Sequence, residues 1–396
     1  MLRHLVIISD RPYNIRSHQN YYIKEFLKNN IHIDYIFFNI HKYSDNGIEC
    51  PENSAIECPE NLSLIKFERK KELNDFFFSL DLNKFQVVML YDLPIEVRFL
   101  FIFRFFHRKK ITYLRILRGT LPYIEHKSWI HKLFIKINSG RFIFSIRNFL
   151  CVKLNKLAIT LINSPLLQSP LIEFIAGEKT FSPLNSRKIN INYFDYDIFL
   201  EEADKNKKNK VENYFVFLDQ NLVSHPDHGK HSSLKSYYDD LKNFFNYLEI
   251  NFNTKVKIAL HPTSNKEINS LYTEFESSYE TCEMVANSKG VIAHFSTAIS
   301  YAVIHKKPIL SIYSDEFIHP SLDTYLRYIN KFSKELNTKL ININDLNHFE
   351  IPKVSTLEYS KFVINYLSSV STKKTNSAKI ILREIKKIFQ SDETIL

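Results

Sequence analysis

Asp219, His261 and the pair Ser296-Thr297 are the residues of this chain whose types and spacing invite chemistry. Each follows a short apolar run: Tyr214 to Leu218, Val256 to Leu260, and Gly290 to Ala293 with His294-Phe295 after it. Runs of that length, rich in β-branched and aromatic residues, read as buried strands. In an open parallel sheet the ligand crevice lies outside the carboxyl ends of the strands. The three positions therefore belong on one rim. A carboxylate and an imidazole there can divide the base and acid roles of a single transfer. Ser296 or Thr297 can cap the helix expected over 298–305, and the free N–H groups and positive dipole of its first turn suit a phosphate. His261 precedes Pro262, which holds its backbone extended and favours a functional ring over a wasted one. Asp219 stays open to two readings, a catalytic carboxylate or the cap of a turn.

The elements that must position these residues repeat one pattern twice. Leu5 to Asp10 is a buried strand, followed by a polar loop (11–19), a helix (20–27) and a second strand, Ile33 to Phe38. This is a strand–helix–strand unit with a right-handed crossover. The loop after the first strand has no glycine, so the dinucleotide fingerprint is absent. Arg11, Asn14, Arg16 and His18 in that loop either hold a sugar acceptor or are simply solvated. Further strands are expected at 87–92, 112–117, 157–162 and 189–192. The segment 201–213, EEADKNKKNKVEN, is a charged linker. After it the pattern restarts, with a helix over 234–249 and a strand, Ile309 to Tyr313, opened by Pro308. The tail, 355–389, reads as two amphipathic helices. The expected organisation is an N-terminal domain (1–200), the linker, a C-terminal domain (214–350) and terminal helices (351–396). The two domains are doubly wound α/β units facing across a cleft.

The 396 residues are 44% hydrophobic and 24% charged, which indicates a packed globular protein. The net charge of +10 suits an anionic partner. Between Arg98 and Lys156 stand fourteen Lys and Arg and one acid, Glu125. Basic and apolar residues interleave there, and a helix over 128–137 presents one face of each kind. Such a segment suits an anionic membrane surface, while a core helix with a solvated basic face is the plainer alternative. No nucleic-acid-binding motif accompanies the charge, so that class is disfavoured. Glu125 is either a catalytic carboxylate or a helix N-terminal charge. Cys50 and Cys58 sit in a tandem IECPEN echo that fits no zinc spacing. His225, Asp227 and His228 read as a solvated loop more readily than as a metal site. His294 reads as a packed core histidine. No HExxH, DxD or Walker pattern occurs, so neither metal nor cofactor is expected, and a leaving phosphate would be met by His, Lys, Arg and N–H groups. No apolar run reaches the roughly 18 residues of a spanning helix. The expected location is the cytoplasm, peripheral on the inner membrane.

His261-Pro262, with Ser296-Thr297 one strand–helix unit later, resembles the paired motifs of bacterial GT-B sialyltransferases. It is similar also to the transferases of Kdo and other nonulosonic acids in capsule and lipopolysaccharide assembly. The resemblance covers about 214–315. It implies a GT-B fold and a CMP-activated sugar donor, with a glycan or glycolipid acceptor bound by the first domain. It further implies that His261 and Pro262 meet the CMP phosphate together with Ser296 and Thr297. Asp219 matches the family's acid, a base in inverting members and a nucleophile in some retaining Kdo transferases. Gln220 falls in the same motif, and Glu283, between the two motifs, could hydrogen-bond a ribose. The acid motif reads Asp219-Gln220-Asn221, without the second acid and glycine of many sialyltransferases, which leaves inversion or retention open. Competing readings are a UDP-sugar transferase or epimerase on this fold, and a non-catalytic scaffold in polysaccharide assembly.

Overall fold

Two parallel sheets take up the chain's apolar runs. The computed structural model describes residues 2–39, 60–80, 85–118, 122, 142–204, 211–222, 235–261, 270–318, 323–346 and 349–391. The first sheet holds β1 (Leu2–Ser9), β2 (His32–Phe38), β3 (Leu62–Phe67), β4 (Phe85–Asp92), β5 (Tyr113–Leu117), β6 (Ile172–Ala176) and β7 (Arg187–Ile191). Their order is β3-β2-β1-β4-β5-β6-β7. The second holds β8 (Tyr214–Leu218), β9 (Lys255–Ala259), β10 (Glu276–Ser278), β11 (Gly290–Ala293), β12 (Ile309–Tyr313) and β13 (Leu340–Asn342), in the order β10-β9-β8-β11-β12-β13. Ile7 registers with Tyr35 and Leu90, and Phe217 with Ile258 and Ile292. Both sheets thus have the Rossmann-like order expected of them.

Strands buried on both faces read as unbroken apolar runs. On β1, Leu5 and Ile7 share a core with Ile381 and Ile385 of the last helix, while Val6 and Ile8 join Phe77, Phe103 and Phe106. On β8, Phe215 and Phe217 meet Leu241 and Phe244, and Val216 and Leu218 meet Val285, Ala302 and Val303. Arg115 and Glu173, register partners on β5 and β6, form a buried ion pair at 2.9 Å.

Several elements differ from expectation. Leu157–Ile162 is the end of a helix, Phe142–Ile162, and not a strand. A short apolar run is ambiguous by period, and here the helical chain upstream decides. The helix expected at 20–27 is two, Ile15–Asn20 and Ile23–Leu27, separated where Tyr22 turns left-handed at φ 54°. The linker expected at 201–213 begins inside the helix Phe194–Asp204, whose Tyr196 packs in the second core. The terminal helices make no unit of their own: Tyr359 and Phe362 of Thr356–Phe362 pack in the second core, and Ser377–Ser391 returns to the first. No helix among the described residues is long and apolar enough to cross a membrane.

The chain therefore passes between the sheets twice, and the two passages meet at Asp197. Its buried carboxylate accepts Tyr22 Oη at 2.8 Å, Asn192 Nδ2 at 3.0 Å and the Ser377 N–H at 2.9 Å. Tyr22 comes from the first domain, Asn192 from the outgoing strand and Ser377 from the returning helix. Burial raises the Asp197 pKa, and these hydrogen bonds oppose the rise.

Candidate active site

Asp219, Gln220, His261 and Ser296 follow the carboxyl ends of strands in the second sheet. β8 lies between β9 and β11, so Asp219, His261 and Ser296 follow the carboxyl ends of three adjacent strands. The strand order reverses beside β8, the place where such sheets open a crevice. Asp219 continues the ladder, its N–H donating to Ala259 C=O at 3.0 Å. Its side chain is 5% exposed. Oδ1 accepts the Asn221 N–H and the Tyr272 hydroxyl, both at 3.1 Å. The first bond closes a turn that Asn221 completes in the left-handed region, φ 50°. The turn-cap reading of Asp219 is thus realised, and any proton-accepting role is additional to it. Burial, then the Asp219 charge, hold the Tyr272 phenol well above its ordinary pKa, so it stays a donor.

Gln220 Oε1 reaches the Phe295 N–H at 3.5 Å, spanning β8 to β11 across the switch point. Leu260 N–H donates to Ser278 C=O at 2.9 Å, and His261 follows, partly buried. Ser296 Oγ accepts the Ala298 N–H at 3.2 Å, just ahead of the helix Ile299–Ile304. Thr297 is exposed and offers the helix its carbonyl, which accepts the Ser300 N–H at 3.2 Å. The expected cap is therefore a serine turn, and the helix is shorter than 298–305. Glu283 is exposed in the first turn of Thr281–Asn287. Glu125 and Pro262 lie outside the described residues, as do His225, Asp227, His228, Cys50, Cys58 and the helix expected at 128–137.

His294 is a core residue, as expected. It is 1% exposed, its Nε2 lies 3.1 Å from Tyr237 Oη, and Phe217 and Phe317 stand edge-on to its ring. Burial pushes its pKa down to about 3, so the imidazole is neutral.

The rim of the first sheet is built differently. Ser9, at the end of β1, places Oγ 3.0 Å from Tyr21 Oη, and that hydroxyl donates to Asp92 at the end of β4. Tyr35 Oη donates to Arg11 C=O at 2.9 Å. Of the loop side chains proposed to hold an acceptor, Asn14 caps the helix Ile15–Asn20 and His18 Nδ1 meets Tyr13 Oη at 2.6 Å. Arg118, directly after β5, lies 4.5 Å over the Tyr21 ring. Asp92 and Arg118 were legible only as strand-end residues, and their meeting at Tyr21 was not.

Among the described residues two clusters bring metal-ligating atoms within 4.8 Å of one another, His4–His32–Asp34 and Glu202–Cys282–His305. The first lies at the amino ends of β1 and β2, with both imidazoles on Asp34 at 2.9 and 3.4 Å. In the second the Cys282 thiol donates to Glu202 at 3.2 Å. Burial, then Glu202, raise the pKa of that thiol. Burial lowers that of His305 to about 4, with the Lys307 charge adding to the fall. Either set could take a divalent cation. A groove lined by Thr112, Ser169, Pro170 and Ser186 lies near the amino ends of β5 and β7 and contains none of the rim residues.

No family model and no curated protein matches the sequence. Solved structures do match. A variant of the wall teichoic acid polymerase TagF is 12% identical, with 100% of this chain and 90% of that chain covered at a TM-score of 0.51. UDP-GlcNAc 2-epimerase from Methanocaldococcus jannaschii is 13% identical over 97% of this chain and 99% of its own, with a TM-score of 0.46. The spinosyn forosaminyltransferase SpnP is 10% identical over 97% and 95%, with a TM-score of 0.40. At such identities the likeness to the polymerase speaks to fold. Together with the two parallel sheets and the double crossing, it establishes that this chain has the α/β GT-B fold.

Proposed function

We propose that this chain is a glycosyltransferase carrying a sialic, other nonulosonic or Kdo-type sugar from a CMP-activated donor to a bacterial surface glycan. The observation that carries the reading is the convergence of Gln220, His261 and Ser296 on the carboxyl ends of β8, β9 and β11, where the strand order reverses. The hydroxyls of Ser296 and Thr297 hold the donor phosphate. His261 gives a proton to the departing phosphate oxygen as its bond to the anomeric carbon breaks. The acceptor oxygen bonds to that carbon and passes its proton to Asp219. For this Asp219 exchanges the Tyr272 hydroxyl for that of the acceptor. Phosphate charge is met by imidazole, hydroxyl and N–H groups, so the reading calls for no metal. Glu283 is placed at the ribose by position alone.

The same reading puts the enzyme on an anionic membrane. Val152, Leu154 and Leu157 are exposed on the helix Phe142–Ile162 beside Lys153 and Lys156, which are exposed as well. Apolar side chains flanked by lysines suit a lipid headgroup boundary, and each basic residue near it contributes about 1 kcal/mol. Co-sedimentation with anionic vesicles should fall with added salt and with neutral lipid. Binding indifferent to both removes this part of the reading.

Thermal shift with CMP, UMP, UDP and GDP, with and without magnesium, tests the donor. A ligand at ~100 times its Kd adds about 2.7 kcal/mol of stability. CMP is expected to raise Tm, with magnesium adding nothing. A shift with UDP and none with CMP makes the donor a UDP-sugar. The scaffold reading survives only if no nucleotide stabilises the protein. The anomeric configuration of the product, by NMR, separates inversion from attack by Asp219 on the donor.

A further inference from the structure

Arg118 stands where the first sheet opens, and its guanidinium is only half accounted for. Among the described residues, the buried Nε and Nη2 have no hydrogen-bond partner and Arg118 makes no ion pair. These two nitrogens form one edge of the guanidinium, and their N–H bonds run parallel. That edge is the fork that grips two oxygens of a carboxylate or phosphate. A guanidinium keeps its charge at any ordinary pH, so withdrawing it from water unpaired is unfavourable. A structural arginine would spend this edge on a neighbouring carboxylate or carbonyl.

The surroundings hold the fork in place without occupying it. The guanidinium lies 4.5 Å over the Tyr21 ring. Tyr21 in turn is fixed by Ser9 and Asp92, from the ends of β1 and β4. Asp92 accepts the Tyr21 hydroxyl and makes no ion pair with Arg118. Tyr22, the next residue, donates to Asp197 where the chain crosses between the sheets, and the Arg118 charge is felt at Tyr22. Arg118 therefore sits at the carboxyl rim of the first sheet, on the side of the crossing. Nothing in the donor chemistry proposed for the second rim uses it.

We propose that Arg118 binds an anionic group, phosphate or carboxylate, of the acceptor. The word acceptor rests on the glycosyltransferase reading, whereas the anion site rests on the guanidinium edge and its shelf. It narrows the acceptor to a glycan or glycolipid that carries an oxyanion near the hydroxyl to be glycosylated.

The test titrates inorganic phosphate, followed by ³¹P NMR, into wild type, R118Q and R118K, each saturated with CMP so that the donor rim is filled. Acetate labelled with ¹³C serves as the carboxylate arm. Wild type is expected to bind one of the two anions at least tenfold more tightly than R118Q. R118K should fall between them, keeping the charge and losing the fork. Tighter phosphate than acetate identifies a phosphorylated acceptor, and the reverse a carboxylated one. Without anion, R118Q should melt no lower than wild type, because an unpaired guanidinium stabilises little. Added anion should raise the Tm of wild type and leave R118Q unchanged. Anion binding equal in wild type and R118Q overturns the proposal, and so does an R118Q that melts lower with anion affinity unaltered. If CMP fails to bind, the CMP-donor reading falls, while the Arg118-dependent difference is still measured in its absence.

Discussion

The two sheets share a strand order over six strands and finish their carboxyl ends in different materials. The first rim is made of long side chains from distant elements: Tyr21 on Ser9 and Asp92, Arg118 over Tyr21, Tyr35 on the Arg11 carbonyl. The second is made of short turns that follow their own strands: Asp219 closing on Asn221, Ser296 on Ala298, with Gln220 as the strut between them. Parallel topology decides where a ligand crevice opens. Which ligand it suits is left to the residues that close each strand. The second rim offers hydroxyls and N–H groups of its own turns, while the first offers a shelf of side chains set by contacts between distant elements.

The sharpest way to break this contrast is at the second rim. His261→Ala should lower transfer by about 10²–10⁴-fold, the usual worth of an acid–base group, and weaken CMP binding as well. Asp219→Asn keeps the turn but cannot take a proton, so turnover should fall in the same range with CMP affinity kept. Steady-state kinetics and nucleotide titration read both. An Asp219→Asn enzyme at wild-type rate would leave Asp219 as the turn residue that its bond to Asn221 already makes it.

The next effect lies at the crossing that couples the two rims. Asp197→Ala strands three donors that now share one buried carboxylate. Hydrogen bonds to a charged group contribute about 1.5–3 kcal/mol, so a loss of roughly 3 kcal/mol is expected by urea denaturation. If the junction alone couples the sheets, the variant should also unfold in two separate transitions. A stability unchanged within error would mean that the packing of Ser377–Ser391 on the first sheet suffices.

Gly290 probes how tightly the second sheet is closed. A Cβ there would lie 2.5 Å from Phe215 Cε1 and 3.2 Å from Pro308 O. Gly290→Ala should cost about 1–3 kcal/mol, the range of overpacked cores. Gly290→Ala combined with Phe215→Leu should recover part of it if the ring is the obstacle.

A pH dependence is carried by two neutral histidines. Folding lowers His294 to about 3 and His305 to about 4, from an ordinary 6.5. Below pH 6.5 the unfolded chain binds protons that the folded chain refuses. Their contribution is therefore fully present above pH 6.5 and is lost as pH falls towards 4 and then 3. The slope is at most about 1.4 kcal/mol per pH unit for each. The urea midpoint between pH 7 and 5 should fall less steeply in His294→Phe. An unchanged slope would mean that His294 is not protonated on unfolding.

The parts legible in the sequence were those set by neighbours along the chain. The runs 5–8, 33–38, 214–218 and 309–313 announced strands because both faces of each are buried. Strands lacking that mark escaped notice. β6 carries Glu173, whose pairing with Arg115 buries a charge inside an otherwise apolar run. β10 is an edge strand of Glu and Ser, and β13 has three residues. The candidate positions Asp219, His261 and Ser296 were legible because a strand end is a local event, and a parallel sheet brings such ends together. The role of Asp219 in its turn depends on the local Asn221 bond, but the Tyr272 bond comes from 53 positions away.

The sequence by itself thus determined two doubly wound α/β halves, the rim of the second and the residues on it, because burial period and strand-end chemistry are written within a few residues. Only the tertiary structure decided how the halves are joined and which side chains meet at the first rim. The last helix returns to the first sheet because its isoleucines complete that core, and Asp197 is buried because strands and helices from both ends of the chain converge on it. Arg118 keeps an open fork over Tyr21, whose hydroxyl turns to Asp92. Contacts between residues so far apart in sequence have no period to betray them.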